Sequence, residues 1–443
     1  TGQYSNQNGQ RQLLEGIDPN ATFFSELLQQ NGYETGLVGK WHLMCEPKGF
    51  GWYHVLDDQG KYYNPTFCST GHFGEYKQET GYATELITKH ALEFLNNRDK
   101  SKPFCLMVHH KAPHRNWVPS SKFMNKYSDV EFPMPATFWD DYATRGSAAH
   151  IQKMNIAHAM EMIQDLKVPE LLDTTDVRSV ASYNALMGEI GRMNQEQRTI
   201  YDRYYMPRNK KFLDAKLEGK ELIKWKYQTY IRDYMAVIAS VDESVGQLLD
   251  YLEKNGLDKN TIIVYTSDQG FYMGEHGWFD KRWMYEESFR TPMIVSYPKL
   301  FPKGTTNDDF VLNIDLAPTF LELAGLPIPA DIQGKSFLPL FAKKAKPIRN
   351  QIFYHYYENG EHAVSPHFGV RTDRYKLIRY YKRVNTWELF DLKTDPKELN
   401  NVYGKKEYLK ITKQLEALLL KEIRDKQDDL AERVFFNKEF PVK

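Results

Sequence analysis

The most informative part of this sequence is Thr266-Ser267-Asp268-Gln269-Gly270-Phe271-Tyr272-Met273-Gly274-Glu275-His276-Gly277-Trp278-Phe279-Asp280-Lys281-Arg282. It follows Thr261-Ile262-Ile263-Val264-Tyr265, an apolar, β-branched run that is typical of a buried strand. Asp268 and Gln269 therefore stand where a strand ends, and open α/β sheets bind ligands at that edge. Their oxygens suit a hard divalent cation, and Lys281 suits an anionic substrate. A turn Asp with a solvated Lys explains this segment alone equally well.

Two further predicted strands end in polar clusters. Residues 35–38 lead into Lys40 and His42, and residues 104–108 lead into His109-His110-Lys111-Ala112-Pro113-His114. We expect the three clusters to meet at one edge of the sheet, because parallel strands end on the same side.

Helical patterns alternate with these strands. We predict helices at residues 20–30, 84–97, 227–255 and 315–324, and a strand at residues 293–296. Such alternation is typical of an α/β fold with a mostly parallel sheet between layers of helices. Residues 115–224 are polar and rich in Met and Tyr. They predict a helical insertion beside the sheet, with helical patches at residues 147–164 and 179–194.

The pattern changes after a charged, Pro-containing segment at residues 343–350, which we interpret as a linker. Beyond it we predict an antiparallel meander of three strands and a closing helix at residues 405–425. The predicted organisation is a larger domain at residues 1–345 and a smaller α+β domain at residues 346–443.

The composition limits the class of partner. Lys plus Arg and Asp plus Glu each number 58 in 443 residues, so the formal charge is zero and nucleic acid is not expected as a partner. No apolar run reaches the length of a membrane span. The three cysteines, Cys45, Cys68 and Cys105, argue against a disulfide framework, although the sequence leaves a Cys45–Cys68 pair open.

Several of these segments match one family. Gly32-Tyr33-Glu34-Thr35-Gly36-Leu37-Val38-Gly39-Lys40-Trp41-His42, the block Ser267 to Gly270 with Lys281, and Tyr285 to Pro292 carry the likeness. The chain resembles the type I, formylglycine-dependent sulfatases of the alkaline-phosphatase-like superfamily from Thr1 to about residue 430. Residues 110–117 and 277–282 look most like the N-acetylglucosamine-6-sulfatases, which act on glycosaminoglycans.

The resemblance implies a role for each candidate residue. The implied metal ligands are Asp268 and Gln269, which would bind Ca²⁺ or alternatively Mg²⁺. The implied catalytic residues are Lys40 and Lys281 on the sulfate, His42 on the formylglycine hydrate, and His114 on the leaving oxygen. The residues expected to contact the sugar are Asp280, Arg282, His362 and His367, of which the last two lie in a predicted loop of the smaller domain at residues 361–367.

One departure concerns the nucleophile. The family oxidises the Cys or Ser that opens an x-Pro-Ser-Arg signature to formylglycine, just before a Thr-Gly like Thr1-Gly2. None of the three cysteines is followed by Pro-Ser-Arg. The expectation is therefore that formylglycine arises upstream of Thr1 and that these 443 residues lack it.

Two other functions fit the same motifs. One is a phosphonate or phosphodiester hydrolase of the same superfamily, and the other is an inactive homologue that binds sulfated glycans. We expect a sulfated saccharide as substrate and a periplasmic or secreted protein, or a lysosomal one in a eukaryote. The oligomeric state stays open.

Overall fold

The computed structural model describes residues 1–13, 15–342 and 346–441. Its strands are β1 Glu34–Gly39, β2 Trp52–Leu56, β3 Thr66–Ser69, β4 Lys77–Gln78, β5 Phe104–His109, β6 Ile263–Thr266, β7 Tyr272–Met273, β8 Phe279–Asp280, β9 Met293–Ser296, β10 Gln351–Tyr356, β11 His367–Thr372, β12 Tyr375–Tyr380 and β13 Thr386–Asp391. Its α-helices are α1 Ser5–Asn8, α2 Phe24–Gln30, α3 Ala83–Asn97, α4 Ser147–Ile151, α5 Val177–Ile190, α6 Gln195–Ala215, α7 Gly219–Lys254, α8 Glu286–Phe289, α9 Leu316–Leu323, α10 Leu409–Asp425 and α11 Asp429–Phe435.

The chain forms two compact units. Unit I comprises Ser25–Met134 and Ile156–Thr261, and unit II comprises Thr1–Phe24, Pro135–Asn155 and Ile262–Lys443. The predicted boundaries at residues 115–224 and 345 stay a prediction.

Unit I contains a five-stranded mixed sheet in the order β4-β3-β2-β1-β5. Strand β1 runs parallel to β2 and β5, whereas β3 and β4 are antiparallel. Leu37 and Val38 of β1 are fully buried. Gly36 leaves room for helix α3, because a Cβ there would lie 2.8 Å from the Phe94 ring. The parallel order places Gly39 opposite His109, so the polar clusters after β1 and β5 are neighbours, as predicted.

Unit II contains the antiparallel sheet β10-β11-β12-β13 and the two-stranded pairs β6-β9 and β7-β8. One face of the larger sheet packs against α10 through Leu377, Leu389 and Leu419. The other face packs against Trp283 and Tyr285, which follow the segment at residues 266–282. The predicted meander and closing helix are confirmed, and β10 is an additional strand.

Several predicted elements need correction. The helix expected at residues 147–164 ends at Ile151, and that expected at residues 227–255 begins at Gly219. Helix α6 was not predicted. The linker prediction falls partly on residues 343–345, outside the described residues. All three cysteines are free, which excludes the Cys45–Cys68 pair. Among the described residues, no helix has the length and apolarity to cross a membrane.

Candidate active site

Asp280, the last residue of β8, is a buried acid surrounded by three basic side chains of unit II. Its carboxylate lies 3.4 Å from Lys281 Nζ, 2.7 Å from Arg282 Nη1 and 2.8 Å from His362 Nε2. Burial alone would raise the pKa of Asp280. The charge of Lys281, the hydrogen bond from His362 and the charge of Arg282 outweigh burial and hold that pKa well below its usual range. Asp280 is thus an anion that orients the basic groups around it.

The backbone of this cluster adopts an unfavourable conformation. Asp280, Arg282 and His362 have φ angles of 76°, 100° and 52°, in the left-handed region that disfavours residues with a side chain. Such conformations persist where the surroundings over-determine them, and they concentrate at binding sites. Here the constraint is visible, since His362 Nε2 lies 2.8 Å from the Asp280 carboxylate and its Nδ1 lies 3.0 Å from the Lys153 carbonyl oxygen.

Asp268 and Gln269 follow β6 and line a cavity of about 2170 Å³ in unit II, together with Lys281 and Arg282. Asp268 is exposed and accepts a hydrogen bond of 3.2 Å from the Ser267 hydroxyl. A carboxylate beside an amide oxygen fits Ca²⁺ or Mg²⁺ chemically. Ca²⁺ takes about six to eight oxygens, so further ligands would complete the shell.

Lys40 and His42 follow β1 in unit I. The Lys40 backbone N–H donates to the His109 carbonyl oxygen at 2.8 Å, which fixes the loop on the end of β5. His42 lies 2.9 Å from Asp58 and 3.1 Å from the Gln59 amide. Burial and the Lys40 charge lower the pKa of His42, and the opposing effect of Asp58 is smaller. At neutral pH the imidazole is therefore uncharged and can accept a proton.

His114 lies in the loop after β5 and is held by its neighbour. Its Nδ1 is 2.7 Å from the Arg115 carbonyl oxygen. A carbonyl only accepts, so Nδ1 carries the hydrogen and Nε2 is the basic nitrogen. Arg115 in turn forms a bidentate ion pair with buried Asp165, at 2.6 and 2.8 Å. By contrast, burial lowers the pKa of His110 to about 4, and its Nε2 lies 3.1 Å from the Ser244 hydroxyl.

Two predicted sugar-binding residues come from the segment Glu361 to His367. The loop prediction is correct for His362, which lies in a short 3₁₀ turn. It is wrong for His367, which begins β11 and is fully buried beside the rings of Trp283 and Tyr380. Whether either residue contacts a sugar stays a prediction.

Sequence reasoning missed the partners of two histidines. Asp58 lies beside His42 in space, but a strand and a turn separate the two residues in the sequence, and no spacing rule links them. The second is His276, which is buried with Nδ1 2.9 Å from Asp140 and Nε2 3.7 Å from Glu287. Those two acids raise the pKa of His276 against the effect of burial.

The structure brings together the predicted residues within each unit. Asp268, Gln269, Lys281 and Arg282 share the cavity of unit II, and the loops of unit I that carry Lys40 and His109 are adjacent. The convergence of all three loops around one anion stays a prediction.

Family models match most of the chain. The model "Sulfatase" matches residues 1–326, and "N-sulphoglucosamine sulphohydrolase, C-terminal" matches residues 274–426. A relative from Bacteroides thetaiotaomicron, "N-acetylglucosamine-6-O-sulfatase", is 45% identical over 98% of this chain and 79% of its own length. The human "N-acetylglucosamine-6-sulfatase" is 25% identical over 79% of this chain, which spans 54% of that relative.

Solved structures also show similarity to this chain. A structure described as being in complex with its substrate D-glucosamine-2-N,6-O-disulfate superposes with a TM-score of 0.91 at 45% identity, covering 97% of this chain and 87% of that one. A phosphonate monoester hydrolase from Silicibacter pomeroyi superposes at 0.65 with 18% identity, which shows a shared fold alone. The predicted alkaline-phosphatase-like fold is confirmed, and this chain belongs to the sulfatase family.

Proposed function

We propose that this chain is a sulfuric ester hydrolase that removes 6-O-sulfate from glucosamine residues of glycosaminoglycans. One observation carries the proposal: Lys281 and Arg282 line the same cavity as Asp268, while buried Asp280 orients both cations. A lysine and an arginine around one buried acid leave net positive charge for an anion. The name of the 45% identical relative and the disulfated glucosamine bound in the similar structure support this substrate class.

The roles of the residues follow from their chemistry. Lys281 and Lys40 would contact sulfate oxygens and stabilise the charge that develops on them in the transition state. Neutral His42 would accept a proton from the nucleophile's hydrate. His114 would protonate the leaving sugar oxygen from Nε2, because imidazole side chains are the usual proton donors in reactions near neutral pH. Arg282 would hold a sugar hydroxyl or carboxylate.

Two further groups would take part in the reaction. Asp268 and Gln269 would hold Ca²⁺, which when bound offsets negative charge at the reacting sulfate. The nucleophile that the family resemblance implies is a formylglycine. Relatives include a "putative extracellular sulfatase Sulf-1 homolog" from Caenorhabditis elegans, which agrees with a periplasmic or secreted location.

The test is sulfate release by the full-length gene product from glucosamine carrying sulfate at a single position. We expect turnover of the 6-O-sulfate and little turnover of the 3-O- or 2-N-sulfate. Lys281→Met should lower kcat/KM by about a hundredfold or more, because a donor to the transition state is lost. Lys281→Arg should retain more activity than Lys281→Met, and Lys259→Met, outside the loop, should be silent.

Two results would contradict the proposal. Faster turnover of an aryl phosphodiester than of any sulfate ester would favour a phosphodiester or phosphonate hydrolase. Tight binding of a 6-sulfated saccharide without turnover, by a protein shown to contain formylglycine, would favour an inactive glycan-binding homologue.

A further inference from the structure

Three side chains of unit I form a cluster that the proposed function does not use. His54 lies on β2, Glu79 directly follows β4, and His90 lies on α3. The Glu79 carboxylate bridges the two rings, with one oxygen 2.6 Å from His54 Nε2 and the other 2.8 Å from His90 Nε2. One ligand atom from each of the three residues lies within 4.8 Å of the other two. Three separate elements therefore direct two imidazole nitrogens and a carboxylate at one point.

The two imidazole rings of the cluster are largely buried, whereas its carboxylate is partly open to solvent. The His54 and His90 side chains are 14% and 10% exposed, whereas Glu79 is 27% exposed. The two ring centroids are 4.0 Å apart, and the Phe67 ring lies 4.6 Å from that of His54. The rings are thus fixed by packing, and water can reach the carboxylate.

The far nitrogen of each ring is held by an oxygen. His90 Nδ1 lies 2.7 Å from a Glu93 carboxylate oxygen, and His54 Nδ1 lies 2.8 Å from the Ser69 hydroxyl. Metal-binding histidines have this arrangement, because the outer hydrogen bond fixes the tautomer and turns the opposite nitrogen towards the ion. The pair Glu93–His90 supplies the carboxylate–histidine part of such a site.

We propose that His54 Nε2, His90 Nε2 and the Glu79 carboxylate bind a late first-row divalent cation of the Zn²⁺ type, with water as the fourth ligand. Imidazole with one carboxylate suits Zn²⁺, Cu²⁺ or Ni²⁺. Tetrahedral bonds of about 2.0–2.1 Å require ligand separations of about 3.3 Å, so the present 2.6 and 2.8 Å contacts need to open by less than an ångström. In the metal-bound form each ring keeps one hydrogen on Nδ1, towards Ser69 or Glu93, so a hydrogen now on Nε2 passes to an unprotonated Nδ1, or to solvent where Nδ1 already carries one.

This site differs in chemistry from the Ca²⁺ site under Proposed function and does not depend on it. Asp268 and Gln269 offer hard oxygens, whereas this cluster offers two nitrogens, which Ca²⁺ avoids. Bound metal would tie β2, the segment after β4 and α3 together. Its effect would therefore be to stabilise unit I against unfolding.

The test is Zn²⁺ binding by the intact chain, stripped with a chelator and then held in excess Ca²⁺ to occupy the oxygen ligands. We expect one tightly bound Zn²⁺ per chain by equilibrium dialysis and metal analysis, and a higher Tm with Zn²⁺ than without it. The double variant His54→Gln/His90→Gln should not bind this Zn²⁺ ion tightly. Glu93→Gln should bind about 10- to 100-fold more weakly, as loss of an outer carboxylate does.

His72→Gln is the matched control. His72 is an exposed histidine of the same unit, and its Nδ1 lies 3.2 Å from Glu75, so it is a histidine–carboxylate pair without a second ring. This variant should bind Zn²⁺ like the wild type. Equal binding by wild type and double variant, or no stoichiometric binding by the wild type, overturns the proposal.

A second measurement avoids dependence on the folding of the double variant. Crystals of the wild-type chain grown with Zn²⁺ should show an anomalous peak at the zinc edge between His54, Glu79 and His90. A peak only at another place, such as His42 and Asp58, overturns the proposal.

Discussion

At the scale of single residues, Asp280 has the largest predicted effect without touching the reacting bond. Because it orients Lys281 and Arg282, Asp280→Asn should leave both cations less well placed. We expect KM to rise and kcat/KM to fall by about 10- to 100-fold, since small misplacement of charged groups is costly in a preorganised site. Steady-state sulfate release measures this, with the exposed Asp250→Asn as control. Unchanged kinetics in Asp280→Asn would contradict the orienting role.

His367 carries a prediction about stability and pH. Burial lowers the pKa of His367 from 6.5 to about 3, so the folded chain holds this ring neutral. Because the folded state disfavours protonation of this ring, its contribution to the free energy of unfolding is complete above pH 6.5. It is lost as the pH falls from 6.5 towards 3. Between about pH 7 and pH 4.5 the loss should be of order 2.5 kcal/mol.

The measurement is urea unfolding across this pH range for the wild type and His367→Asn. Asn retains a donor for the Ser365 carbonyl oxygen, which His367 Nδ1 now bonds at 2.9 Å, but does not titrate. The variant should be less stable at neutral pH and less sensitive to acid. Parallel pH profiles for the two proteins would exclude His367 as a source of the acid sensitivity.

At the scale of elements, the loop after β6 depends on one glycine. A Cβ on Gly270 would overlap the Glu287 carbonyl oxygen and lie 2.6 Å from that of Arg290, and the Gly270 N–H bonds Ser288 at 2.9 Å. Gly270→Ala should therefore push the loop that carries Asp268 away from α8. We expect half-maximal activity to require at least about tenfold more Ca²⁺, because the Asp268 carboxylate moves.

Gly246→Ala provides the matched control for this substitution. Gly246 lies inside α7, and a Cβ there meets nothing within 4 Å. It should stabilise the chain by roughly 0.5–1 kcal/mol, the usual preference of a helix for Ala. If Gly270→Ala requires the same Ca²⁺ concentration for activity as Gly246→Ala, then Gly270 does not hold the loop against α8.

The elements themselves were predictable where local pattern and tertiary contacts agree. Strand β9 and helix α3 match their predicted ranges to within a residue. The helix expected at residues 147–164 fails because distant groups capture its backbone: Lys153 N–H donates to the His362 carbonyl oxygen, and Met154 accepts from Phe279. Helix α6 had a usable signal, since Asn194 and Gln197 form a capping box, but its weak apolar periodicity concealed it.

At the scale of the whole molecule, the make-up of each unit was not predictable from local pattern. Unit II joins residues from both ends of the sequence, as where the Tyr4 N–H donates to the Gln333 side chain at 2.8 Å. The candidate site residues could be named from the sequence because they occupy fixed places in family motifs, and their roles stay a prediction. The orienting role of Asp280 and the pairing of His42 with Asp58 required coordinates, since both depend on side-chain direction.

The balanced charge of the chain leads to a final prediction. With 58 basic and 58 acidic residues, attraction of a sulfated substrate must come from local groups such as Lys281 and Arg282. Salt screens such groups over about 10 Å at 0.1 M and about 3 Å at 1 M, so kcat/KM should fall several-fold across that range. Arg282→Gln should raise KM and flatten this dependence, because one of the local cations is removed. The exposed Arg433→Gln, which leaves the site intact, should retain the wild-type slope. An equal salt slope in Arg282→Gln and Arg433→Gln would show that the attraction arises elsewhere on the surface.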